Sequence, residues 1–167
     1  MKRPTFFLVT ALLISLFIYL FYRTDRTLVN SLFNIFLGQQ NYQALKAVVR
    51  HQFPLHDFVI YSLPEGLWVF CITVTSKDLY IKFDRLDVHC AVLPLLFVVG
   101  LELLQWFQIT NGTFDVIDIL TAILFWMLGF FIIEEEKPKQ HPFKRLNNRS
   151  LIFLMSYLIV YLAHVFK

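Results

Sequence analysis

A few carboxylates and amides set among apolar residues are the groups in this chain best able to do chemistry. Glu102 and Gln105 stand three apart, and on a helix that spacing puts both side chains on one face. Asp115 and Asp118 repeat the spacing after a short polar stretch, with Thr113 just ahead as the expected N-cap and Asp115 in the first turn. Further back, Pro64-Glu65 opens another apolar run, the pattern of a helix start with an acid at its positive end. Groups of this kind can cap helix ends, accept hydrogen bonds from a polar ligand, or work as a general acid and base pair. No Ser, Cys or His stands beside them in the sequence as a nucleophile or base. No His-x-x-x-His or acidic run has the spacing of a metal site. The candidate ligand-binding set is therefore Glu65, Glu102, Gln105, Thr113, Asp115 and Asp118. No catalytic residue, metal ligand or cofactor is assigned.

The elements that must position these residues are apolar helices. Hydrophobic residues make up 57% of the chain and charged ones 16%, against roughly 45–50% and 25% in ordinary globular domains. Nineteen Phe, seven Tyr and three Trp supply the aromatic excess found where helices end at a lipid interface. Composition thus predicts an all-α, polytopic transmembrane bundle of about five spans in one domain, 1–167. Those spans are 6–22, 57–75, 88–107, 116–133 and 151–166. The first follows a basic start, as in a signal peptide, but it runs long and ends in Tyr-Leu-Phe-Tyr-Arg rather than a small-residue cleavage site. It reads as a retained helix.

Between the first two spans, Leu28, Leu32, Ile35 and Phe36 keep helical spacing, which predicts a short amphipathic or re-entrant helix stopped at Gly38. A second piece over 42–49 carries Lys46 and precedes Arg50, and is expected at the membrane surface. His51 and His56 are five apart with Pro54 between them, which suits no shared metal. Residues 76–87 interleave charged and apolar side chains and read as an interfacial loop. Pro94 falls inside the third span, and Asn111-Gly112 offers the tight turn before the fourth. Cys71 and Cys90 fit neither a disulfide framework nor a metal motif, and read as buried, inert thiols.

Orientation follows from the basic residues. With the N-terminus in the cytoplasm, ten of the fifteen Lys and Arg lie inside, and 108–114 carries none. The expected topology is N-terminus in, C-terminus out, with 23–57 and 108–114 outside. The net charge of +3 is explained by this placement and implies no nucleic-acid partner. All six candidate residues then fall at one membrane face.

The series Glu102-x-x-Gln105, Gly112-Thr-Phe-Asp115-x-x-Asp118 and then Gly129 resembles the VanZ-like membrane proteins. Glu102, Gln105 and Asp118 fall on that family's pattern, and Gly129 matches its second helix glycine. The family often has an Arg in the loop and an Asn and a first glycine in the next helix, where this chain has Asn111-Gly112-Thr113, Ala122 and Phe125. The resemblance implies an envelope-associated protein of the bacterial cytoplasmic membrane; the founding member is linked to glycopeptide-antibiotic resistance.

Three readings of the acidic corner stay open. It is a scaffold, with Glu102 and Gln105 satisfying free N–H groups at the start of the fourth helix. It is a binding site for a polar or lipid-linked envelope molecule at the bilayer. Or it is the centre of a membrane-embedded enzyme using paired carboxylates; a structural subunit of a membrane complex would need the scaffold alone.

Overall fold

The computed structural model of the protein describes residues 3–23, 28–83, 86–110, 113–132, 151 and 154–158. It is mostly helical, with one small antiparallel hairpin. The chain divides into two compact units, Met1–Pro64 with Leu158–Lys167, and Glu65–Tyr157.

In the first unit, α1 (Arg3–Phe21), α2 (Leu28–Leu37), α3 (Gln39–Gln52) and α4 (Asp57–Tyr61) follow in order. Gly38 separates α2 from α3 with φ 76, a left-handed conformation that glycine takes without a Cβ clash. The expected stop at Gly38 is therefore present, and the helix over 42–49 belongs to the longer α3. What organises this unit is the carbonyl end of α1, whose last turns have no acceptor-satisfying N–H of their own. Tyr42, Lys46 and Arg50 lie four apart on α3 and form one stripe along that end. Tyr42 donates to the Leu20 carbonyl (2.6 Å), Lys46 to that of Arg23 (3.2 Å), and Arg50 to those of Phe21 (2.7 Å) and Tyr22 (3.3 Å). Asn30 of α2 adds a bond to the Tyr19 carbonyl (3.3 Å) and meets the Tyr42 hydroxyl. Lys46, expected at a surface, is 1% exposed. The Arg23 carbonyl it donates to and the negative end of the α1 dipole explain why it is tolerated there.

The second unit is built on α5 (Leu63–Ser76), β1 (Tyr80–Phe83), β2 (Leu86–His89), α6 (Leu93–Trp106) and α7 (Val116–Met127). The stretch read as an interfacial loop is thus a hairpin, with Tyr80 opposite His89 and Ile81 opposite Val88. Alternation accounts for it: Leu79 and Ile81 turn to one side and pack with Cys90, Leu93 and Tyr157. The same interleaving of apolar and charged residues that suggested an interface has the period of a strand. The third span also begins later than expected. A 3-10 turn, Cys90–Val92, precedes α6, and Pro94 sits in the first turn of α6, where its missing N–H costs nothing. Cys71 and Cys90 are both free and buried.

Ser62 continues α4 into α5, so that Asp57–Ser76 forms a helix of 20 residues. Among the described residues it is the one helix long and apolar enough to cross a membrane. Phe6–Phe21, Cys90–Trp106 and Val116–Phe131 are shorter apolar helices. The last expected span, 151–166, lies mostly outside the described residues, as do the 111–112 turn and the charged stretch 134–150 between the fourth and fifth expected spans.

Candidate functional site

The corner begins where α6 stops. Gln108 takes φ 57, and its N–H donates to the Gln105 carbonyl (2.9 Å), while that of Ile109 reaches back to Leu104 (2.9 Å). This is a Schellman ending with a glutamine in the left-handed position that glycine usually fills. The stop therefore lies before the expected Asn111-Gly112 turn. Across the connection, Trp106 and Phe114 meet edge to face with centroids 4.6 Å apart.

The cap of α7 is Asp115, a correction to the expected Thr113. Asp115 Oδ1 accepts from the Ile117 N–H at 2.8 Å, and Thr113 is exposed. Asp118 then occupies the third helical position, from which an acid often reaches back to the cap's own N–H. Here that N–H is already taken. Glu102 Oε2, arriving from α6, accepts it at 2.9 Å. The capping box is completed from another helix, and Asp118 Oδ1 is buried with no hydrogen-bond partner among the described residues.

Glu65 joins this pair from the first turn of α5. One carboxylate oxygen from each of Glu65, Glu102 and Asp118 lies within 4.8 Å of the others. Two glycines, Gly66 in α5 and Gly129 in the π-helical turn Leu128–Ile132 that continues α7, allow these segments to come this close. A Cβ at Gly66 would stand 2.5 Å from Phe125 Cδ2 and 2.9 Å from Thr121 Cγ2, and one at Gly129 would stand 3.2 Å from the Phe70 carbonyl. Thr121 and Phe125 follow Asp118 at three and seven residues, so Gly66 is seated on the face that carries the acid.

One turn from each acid, on its own helix, stand Val69, Val98 and Ala122, all fully buried and in mutual contact. The acidic layer thus rests on an apolar layer from the same three helices. Trp126, packed against that layer, anchors α7 by donating Nε1–H to the Ala91 carbonyl at 2.7 Å.

The sequence candidates separate accordingly. Glu65, Glu102 and Asp118 converge; Asp115 caps α7; Gln105 is half-buried one turn past Glu102, and its carbonyl serves the α6 ending. Glu102 is 3% exposed. If all three carboxylates were ionised, each pair would repel by roughly 3 kcal/mol at this spacing and an effective dielectric near 20. The cluster therefore suits a proton, a cationic group, or a hard divalent cation, whose oxygen ligands at about 2.0–2.6 Å fit such a separation. No spacing in the sequence signals the set, because its members come from three helices. His56 is a further cap that its residue type does not signal: its Nδ1 accepts from the Phe58 N–H at 3.2 Å to start α4.

No family model matches the chain, and comparison with curated proteins and with solved structures gives no match.

Proposed function

We propose that this chain is a VanZ-like integral membrane protein of the bacterial envelope. Its acidic corner binds a cationic or hydrogen-bond-donating part of a polar or lipid-linked molecule at the bilayer surface. The observation that carries the binding reading is the surplus of acceptors. Capping α7 requires Asp115 and one further carboxylate, which Glu102 supplies. Asp118, half-buried beside it, keeps one buried oxygen without a partner among the described residues, and Glu65 brings a third carboxylate to the same point. A scaffold has no use for that excess negative charge; a donor from outside does.

The membrane reading is supported by side chains sorted against the rule for water. Asn30, Lys46, Thr73, Ser76 and Glu102 are buried, whereas Ile35 is 78% and Phe36 83% exposed. The proposed arrangement keeps about five spans, with the N-terminus inside and 23–57 and 108–114 outside. Helices of 16 or 17 residues reach about 25 Å, short of a ~30 Å hydrocarbon core, and their aromatic ends would meet the interface. A membrane-embedded enzyme using Glu102 and Asp118 is the alternative, and a purely structural subunit is the reading without a ligand.

The test compares Glu102→Gln and Asp118→Asn with the wild-type chain in a bacterium scored for glycopeptide susceptibility, alongside detergent melting of each protein. Folded variants that lose the phenotype support binding. Phenotype lost only in step with stability supports the scaffold. Cysteine labelling at Asn111→Cys in intact cells checks the orientation, and labelling only after permeabilisation would overturn it.

A further inference from the structure

We propose that Arg23 and Arg50, beside the end of α1, grip the phosphodiester headgroup of an anionic lipid. The proposal rests on the membrane reading above but concerns a different place in the chain from the acidic corner. The two arginines are unequal. Arg50 spends Nε and Nη2 on the carbonyls of Phe21 and Tyr22, which leaves Nη1 for another acceptor. Arg23 lies with its guanidinium carbon 5.3 Å from the Tyr19 ring centre and 5.5 Å from that of Tyr61. Those ring contacts hold the guanidinium by its π-surface, and among the described residues its N–H groups have no acceptor. Neither arginine has an ion pair among the described residues.

Charge points the same way. Between Tyr19 and Pro64 the sequence holds four cations, Arg23, Arg26, Lys46 and Arg50, against two carboxylates, Asp25 and Asp57. Lys46 donates to the Arg23 carbonyl, next to the Phe21 and Tyr22 carbonyls that Arg50 holds, so the backbone beside both arginines is fixed. A fork of N–H donors on a half-fixed guanidinium is the geometry that matches phosphate oxygens. Beside it, α2 turns Leu32, Ile35 and Phe36 outward, and these suit acyl chains. A free phosphate would use the arginines alone. A lipid would use both surfaces, and for that reason the lipid is the ligand proposed.

The experiment uses the full-length chain purified in detergent. Its melting temperature is read after adding phosphatidylglycerol, phosphatidylcholine, or inorganic phosphate at matched concentration. Phosphatidylglycerol is expected to raise the midpoint by about 3 °C more than phosphatidylcholine, and inorganic phosphate to leave it unchanged. Arg23→Gln should remove most of that increment, with Arg23→Lys retaining part of it and Lys82→Gln all of it. Arg50→Gln lowers the midpoint itself by stranding two carbonyls, so it is scored on the lipid increment. Equal shifts from both lipids, or an increment that survives Arg23→Gln with Arg50→Gln, would overturn the proposal. A shift from inorganic phosphate equal to that from phosphatidylglycerol would overturn the lipid assignment. Alkaline carbonate washing of membranes separates the two levels. Release of the protein refutes the membrane reading and this inference together, whereas retention without a phosphatidylglycerol preference refutes only the inference.

Discussion

Glu102 and the backbone of Asp115 are joined by a single 2.9 Å hydrogen bond that fastens the end of one helix to the cap of the next. The carboxylate is buried and the N–H it accepts has no intrahelical partner, so each group depends on the other. Glu102→Leu is expected to cost about 1–3 kcal/mol, the range for stranding a buried donor. Glu102→Gln keeps an acceptor in place and should cost less than about 1 kcal/mol. Melting of both variants in one detergent checks the order; equal losses would mean that the bond contributes nothing.

Gly66 sets the distance between α5 and α7. Gly66→Ala would bring a methyl group to 2.5 Å from Phe125 Cδ2, a contact that one of the two must relieve. A loss of about 1–3 kcal/mol is expected from overpacking. Because the clash is with a ring, Phe125→Leu in the same chain should recover part of the loss, and a double-mutant cycle measures that coupling. Strictly additive losses would rule the contact out as the cause.

Gln108 holds the left-handed position of the α6 ending. Gln108→Gly should raise stability by up to about 1 kcal/mol, since the strain of a side chain at positive φ outweighs the greater freedom of glycine when unfolded. Gln108→Val should lower it, because a β-branched residue is least at home there. Urea midpoints for the two variants, shifted in opposite directions, are the expected result.

Much of the fold could be read from periodicity, and the parts that could not share a cause. The helix over 28–37 and its stop at Gly38 follow from local spacing and turn chemistry. Thr113 and Asp115 are both good N-caps by type, and the choice between them is made by Glu102, which comes from another helix and takes the Asp115 N–H. The hairpin at 80–89 was hidden because an alternating charged segment is read equally well as an interface or a strand. The pairing of Glu102 with Asp118 was suggested by their placement at facing helix ends. The approach of Glu65 was set by Gly66 and Gly129, whose effect depends on which helix lies opposite.

Tyr42→Phe tests the stripe on α3. It removes the donor to the Leu20 carbonyl and the contact with Asn30, and should cost about 1–2 kcal/mol. Amide exchange should rise in the last turn of α1, where Tyr22 and Arg23 N–H groups bond to Ile18, more than in α7. Unchanged exchange in that turn would show that α1 closes without α3.

That stripe also fixes an order of events during synthesis. The groups that finish α1 are Tyr42, Lys46 and Arg50, and Arg50 comes 29 residues after the Phe21 carbonyl it serves. When α1 leaves the ribosome its carbonyl end has only solvent to bond, and it gains these partners once α3 has emerged. The first helix of the chain is therefore completed late, by a segment whose arrival latches a helix that has already been made.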